Sequence, residues 1–356
     1  MKALANEIAK NLVLAGVGSL TVLDHEMVSV EDLGAQFLFA EEHVGQNRAQ
    51  AALPELERLN PRVALRSDQE PALSKPPEYF QAFDVVVAAG GDVETLSSIN
   101  TSCRFQNRKF YAADAHGMYG FVFADLLSHD FIIERARSNK LTDVNKAENP
   151  TRTVISSSTK QENGKVTEVV RKREVYSPLI LANTSSLPPE ITNNRRKRLQ
   201  VTPLLSCFRA LFDFQKANGG RLPSHSHSDL ELFTTFATEK HRELSLPPET
   251  LRSDFLRSFL QNLGAEIAPV VAFLGGALAQ DLINVLTHRE QPLQNFLLFD
   301  GEDFKGPIYS LHPVFPDTLP MVVPPPVTEA VPLAASTEPV LQPVTSTADS
   351  LSNGIT

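Results

Sequence analysis

Few residues in this 356-residue chain have the type and spacing to do chemistry. Asp24 ends the apolar run Leu20-Thr21-Val22-Leu23. A dinucleotide-binding unit carries at that point the carboxylate that holds a ribose hydroxyl. The same position also suits a residue that merely ends a strand, and both readings stand. A nucleotide site further needs a glycine turn ahead of its first helix, where backbone N–H groups meet phosphate. Here that stretch reads Ala3-Leu4-Ala5, and the chain contains no G-x-G-x-x-G. A self-sufficient NAD or ATP site is not expected. A nicotinamide oxidoreductase also lacks its Tyr-x-x-x-Lys or His–Asp pair.

Cys103 and Cys207 are the two thiols. A nucleophilic thiolate needs a nearby positive charge or a helix N-terminus. Cys103 instead falls inside a helical run, and Cys207 sits within the apolar pattern Leu204, Leu205, Phe208, Leu211 and Phe212. Both are expected in the core. His225 and His227 alternate with serines and predict no metal site. Asp114-Ala115-His116-Gly117 follows a strand and reads as a structural turn. Arg171-Lys172-Arg173 and Arg195-Arg196-Lys197-Arg198 read as solvated faces, with nuclear import or a partner contact as the alternative.

The elements that position these residues alternate. Helical spacing runs from about Ala3 to Ala15 and closes at Gly16 and Gly18. A buried strand, Leu20 to Asp24, follows directly, so the opening reads as a βαβ unit lacking its first strand. Further on come a helix over about Gly45–Leu59, a strand at Val63–Ser67, the strand Asp84–Ala89 and a helix over Val93–Phe105. Lys109–Ala113 and Gly120–Asp125 are strands, and Phe131-Ile132-Ile133 predicts another, buried one. Uniformly apolar strands predict a mostly parallel sheet covered on both faces. From Asp143 the chain turns polar, with weak valine alternation. Helices are then expected over Thr202–Lys216, Ser228–Arg242 and Pro248–Asn262. A long apolar helix, Ile267–Leu286, carries Gly275-Gly276 for close packing. Asn295–Gly301 returns to strand character. The resulting division is 1–142, a Rossmann-like region; 143–265, a polar linker and helical insertion; 266–316, a return to the main α/β domain; and 317–356, a disordered tail rich in Pro, Thr and Val.

Apolar residues make up 42% of the chain, enough for a sizeable core, and the net charge of -9 argues against nucleic-acid binding. Two distant cysteines do not make a disulfide framework. No signal peptide is evident, and the apolar runs look too short to span a membrane.

Several segments, in order, resemble the ubiquitin-activating enzyme superfamily. Glu7 to Asp24 is similar to its first helix and second strand. Gln36-Phe37-Leu38-Phe39 and His43 to Gln50 resemble its strand-crossing segment and next helix. Gly275-Gly276-Ala277-Leu278-Ala279-Gln280-Asp281 and Asn295–Gly301 resemble its late helix and closing strand. The likeness covers about 1–313 and implies a Rossmann-like adenylation fold. Active members bind ATP and magnesium through a glycine loop, a ribose aspartate, an N-x-x-R-Q segment, a lysine and a metal-associated aspartate. In this chain the loop is reduced to Ala3 and Ala5, and the ribose aspartate is kept as Asp24. Asp32 and Ala35 replace the asparagine and arginine, with Gln36 kept. Arg48 stands at the lysine and Gly91 at the metal aspartate, next to Asp92. Alanine and glycine cannot stabilise developing phosphate charge.

The resemblance therefore implies a non-catalytic half with no catalytic residues. Asp24 and Arg48 are remnants of a nucleotide site, with ATP and magnesium bound at a catalytic partner subunit. Chain size and the Arg195–Arg198 cluster imply SUMO as the modifier. A Nedd-type modifier, or a non-enzymatic Rossmann-like interaction protein, is the alternative. Neither membrane nor nucleic acid is expected as a partner, and the location implied is the nucleus, with cytoplasm also open. The family's cross-interface arginine would lie upstream of Met1, and with the first strand lacking, a truncated N-terminus is expected.

Overall fold

The computed structural model describes residues 1–137, 142–162 and 165–313, which belong to one compact unit. Helix α1 (Ala3–Ala15) opens the chain and turns Leu4, Ile8 and Leu12 to the core. Gly16 ends it at φ 78°, a left-handed conformation that strains any residue with a Cβ. Strand β1 (Ser19–Leu23) follows. Helix α2 (Arg48–Leu59) then crosses over to β2 (Ala64–Asp68), which pairs with β1 in parallel. Among the described residues α1 is the first element, and β1 pairs with β2 alone.

A second βαβ unit consists of β3 (Val85–Ala89), α3 (Val93–Phe105) and β4 (Lys109–His116), its strands again parallel. Strand β5 (Tyr119–Asp125) turns back after only Gly117 and Met118, so it can pair with β4 only as a hairpin. Next come β6 (Ser128–Ala136), β7 (Arg152–Glu162) and β8 (Lys165–Val175). Three short helices follow: α4 (Leu179–Thr184), α5 (Pro189–Thr192) and α6 (Arg195–Leu199). Longer ones succeed them: α7 (Leu204–Ala217), α8 (His227–Glu243), α9 (Ser253–Asn262) and α10 (Ala268–Thr287). Strands β9 (Phe296–Asp300) and β10 (Ile308–Tyr309) complete the main sheet, in the order β10-β9-β5-β4-β3.

The α/β architecture expected from the sequence is present, with two differences. Parallel pairing is confined to β1–β2 and β3–β4, because β5, β9 and β10 run antiparallel to their neighbours. The uniformly apolar strands reflect covering on both faces. Tyr119, Phe121 and Phe123 of β5 face the aromatic cluster of α7–α9, while Val122 and Ala124 face α1 and α10. Second, the polar stretch after Asp143 is not a linker. It supplies β7 and β8 of a separate antiparallel sheet, ordered β6-β8-β7. Its polarity is spent on cross-strand pairs, Arg173 Nε to Asp130 at 2.6 Å and Arg135 to Glu168 at 3.0 Å, and on Lys172 to Glu148 of the loop before β7 at 2.7 Å. On β6, Phe131 is buried but Ile132 is exposed, so this strand is less buried than its sequence suggested.

Helix α10 packs along α1. A Cβ on Gly275 would lie 2.7 Å from Glu7 Cβ, so the close approach requires glycine there, whereas Gly276 faces open space. By length and apolarity α10 could cross a membrane, contrary to the reading of short apolar runs; in this fold 44% of its most apolar window is buried within the protein. The region assigned to a tail, 317–356, lies outside the described residues.

Candidate functional site

Asp24 follows β1, where its N–H donates to the Asp68 carbonyl at 3.0 Å and continues the parallel ladder. Its carboxylate accepts from the Met1 ammonium and, at 2.9 Å, from the Glu26 N–H. Asn47 closes the far side. Its Nδ2 donates to the Asp24 carbonyl at 2.8 Å, and its Oδ1 caps α2 by accepting from the Gln50 N–H at 3.1 Å.

That cap places Arg48 at the first position of α2, where a cation opposes the positive end of the helix dipole. Two carboxylates compensate, the buried Asp32 and the exposed Glu26. Nε donates to Asp32 Oδ2 at 2.8 Å and Nη2 to Asp32 Oδ1 at 3.2 Å, a bidentate fork, while Nη1 reaches the Glu26 carboxylate. Arg48 is 6% exposed and Asp32 3%. Burial alone would push the Asp32 carboxyl up, but the Ser29 N–H and the Arg48 guanidinium together hold it below the usual range. Burial likewise opposes the Arg48 charge, and Asp32 outweighs it, leaving the guanidinium more firmly protonated. Gln36 braces the same loop. Its Oε1 accepts from the N–H groups of Leu38 and Phe39 and from Asn6 Nδ2, and its Nε2 donates to the Asp32 carbonyl.

The structure thus brings together Asp24, Asp32, Gln36 and Arg48, four positions that the sequence resemblance had aligned separately. Arg48, Asp32 and Gln36 satisfy one another, while the Asp24 carboxylate is held by the Met1 ammonium and the Glu26 N–H. A nucleotide phosphate would have to displace two carboxylates from Arg48 and then lie beside them. The residues present do not fit that group. Asp92 is likewise committed, since its Oδ1 caps α3 by accepting from the Thr95 N–H at 2.8 Å. Glu26 and Asn47 were not singled out in the sequence. The available signal was an arginine at a helix start following a run of acids, because such a cation must find carboxylates if it is buried.

The remaining candidates are structural. Burial pushes the Cys103 thiol up to about 12, and Cys207 is buried among α7 side chains with its thiol also raised. His116 lies on β4 itself, one residue before the turn. Its Nδ1 accepts from the Gly264 N–H at 3.2 Å, and its Nε2 lies 3.4 Å from the Asp114 carboxylate. Together with the bond from the Gly117 N–H to the Ala265 carbonyl, this ties the β4–β5 turn to the start of α10. Arg171 and Arg173 are paired with Asp130, whereas Arg195, Arg196 and Lys197 stand exposed on α6.

A family model described as the ThiF family matches residues 1–316. The chain is 35% identical over 315 residues to SUMO-activating enzyme subunit 1 of Rattus norvegicus, covering 88% of this chain and 86% of that protein. To the human protein of the same name it is 34% identical over 316 residues, 88% and 87% of the two chains. It is also 34% identical over 311 residues to the DNA damage tolerance protein RHC31 of Saccharomyces cerevisiae, 86% and 87% of the two.

Proposed function

The chain belongs to the ThiF family, and on that premise we propose that it is the non-catalytic subunit of a two-subunit SUMO-activating enzyme. The observation that carries this is the closed clamp of Arg48 on Asp32 and Glu26. It stands in a chain about a third identical, over most of its length, to proteins named as subunit 1 of that enzyme. A chain whose own charges fill the position of a nucleotide site acts through a partner.

In this reading ATP and magnesium bind at the catalytic partner subunit. That partner adenylates the SUMO C-terminus and takes it up as a thioester, while this chain supports the assembly. Both thiols here are buried, which supports assigning the thioester to the partner. We assign the complex to the nucleus, on the exposed basic run of α6, and a fluorescent fusion that loses nuclear enrichment on R195A/R196A/K197A substitution is the expected result.

The decisive experiment co-expresses the chain with the catalytic subunit of a SUMO-activating enzyme and measures SUMO-dependent ATP–pyrophosphate exchange. Exchange should require both chains, and this chain alone should give none. Exchange that proceeds equally without it would overturn the proposal. Exchange that responds to a Nedd-type modifier and not to SUMO would reassign the modifier.

A further inference from the structure

Asp32, Asp125, Asp229 and Glu174 are buried carboxylates, and each is held by a guanidinium, those of Arg48, Arg104, Arg221 and Arg152. Asp281, half-buried on α10, has no cationic partner among the described residues. Its Oδ2 accepts from the Tyr111 hydroxyl at 2.6 Å and its Oδ1 from the Leu293 N–H at 2.9 Å. Both donors are neutral. Burial pushes the carboxyl above the usual carboxylate range, and the two hydrogen bonds offset that only in part. A carboxylate has about four acceptor sites, so part of its capacity stays open.

Asp281 borders a cavity of about 590 Å³, a size typical of small-molecule sites. Val122, Leu278, Leu297 and Ile308 supply its apolar wall. Arg152 is the other charged residue of the lining, and its charge is taken by the fully buried Glu174. The wall therefore carries the uncompensated charge of Asp281, and that charge selects the occupant. An anion would be desolvated against a like charge. A neutral molecule would strip water from the carboxylate without supplying a counter-charge. A cation with a hydrocarbon body meets both the carboxylate and the apolar wall. Among the described residues no aromatic ring lines the cavity to face a quaternary ammonium, whereas the open acceptor capacity needs N–H donors. A primary ammonium supplies them.

We propose that this cavity binds a small aliphatic primary ammonium compound, its N–H groups on the Asp281 carboxylate and its hydrocarbon chain against Leu278 and Leu297. The site stands apart from the functional reading above. The test titrates the full chain with n-hexylammonium by calorimetry, against n-hexanol and hexanoate of the same chain length. Hexylammonium should bind saturably, hexanol roughly tenfold more weakly or worse, and hexanoate not at all. Asp281→Asn removes the charge but keeps a polar group facing Tyr111 and Leu293, and it should lower hexylammonium affinity by roughly tenfold or more. Ala277→Phe leaves the carboxylate in place and fills the cavity. It should abolish binding while the melting temperature of the free chain is retained. Ile180→Arg, on exposed α4, should change nothing. Equal binding of hexanol and hexylammonium, or full affinity in Asp281→Asn, would mark an apolar cavity with no cation site and overturn the proposal. Binding that never saturates, or that persists undiminished in Ala277→Phe, would place the amine elsewhere and overturn it as well.

Discussion

Strands β5 and β9 are buried at every residue, whereas β1 buries only Val22 and β3 buries none of its five residues. Around β5 and β9 the contacts are rings. Phe121 stacks on Phe296 at 5.4 Å and meets Phe208 and Phe212 edge-on at 5.2 and 5.6 Å. Around β1 the buried groups include charges, with Arg48 forked onto Asp32 under a short two-stranded sheet. Apolar burial is non-directional and tolerates small errors of placement. A buried ion pair contributes only while its geometry holds, and removing one member leaves a desolvated charge. The antiparallel half should therefore set global stability, and the amino-terminal half should open first.

The sharpest challenge to that contrast is Phe121→Ala, which removes a ring from three aromatic contacts. It should cost about 4 kcal/mol of global stability, read by chemical denaturation. A loss no larger than that of a surface change would contradict the assignment of the main core. Asp32→Asn should cost about 3 kcal/mol by leaving Arg48 with Glu26 alone. Hydrogen exchange should then accelerate in α1, β1 and α2 before it does in β5, and uniform acceleration would dissolve the distinction between the halves.

Acid should separate regions in a different way. Burial lowers the His129 imidazole to about 4, with Lys109 and His288 adding to the effect. Between the ordinary value near 6.5 and about 4 the unfolded chain binds a proton that the folded chain refuses. Stability contributed by neutral His129 is thus present above 6.5, falls as pH drops through that window by up to about 3 kcal/mol, and levels off below it. His129→Phe should flatten that slope. The Asp32 carboxyl is held low, so its contribution persists to lower pH and is lost only as pH falls below the ordinary carboxylate value and through the depressed one. A stability profile with no change between 6.5 and 4 would exclude a buried neutral His129. The smallest effect is expected for Asp92→Ala, about 1 kcal/mol from the lost cap of α3. If it instead abolished SUMO-dependent exchange in the assembled enzyme without loosening the complex, Asp92 would be a metal ligand and not a cap.

Much of this architecture was legible along the chain. The spacing of Ile8, Leu12 and Ala15 with Gly16 marked α1, and the run at 85–89 marked β3. Gly275 announced a close helix contact, which Glu7 of α1 makes. The three-stranded sheet was obscured because its strands are polar and each charge finds its partner only across the ladder, as Asp130 does with Arg171 and Arg173. Strand direction was obscured too, since an apolar run on β5 records covering on both faces and not the sense of its neighbour. At the candidate site, Asp24 and Arg48 could be picked out as positions, but their partners could not be identified as such.

Local periodicity, caps and glycines act over a few residues, so the sequence by itself determined where most helices and the apolar strands lie, and that both cysteines are core residues. Which groups surround Asp24 and Arg48 was decided only by the tertiary structure. Coulomb energy depends on distance and burial, and neither is a function of spacing along the chain. Folding brings Asp32 and Glu26 onto the guanidinium and removes it from water, and that placement is what turns a familiar-looking pair of residues into a closed clamp.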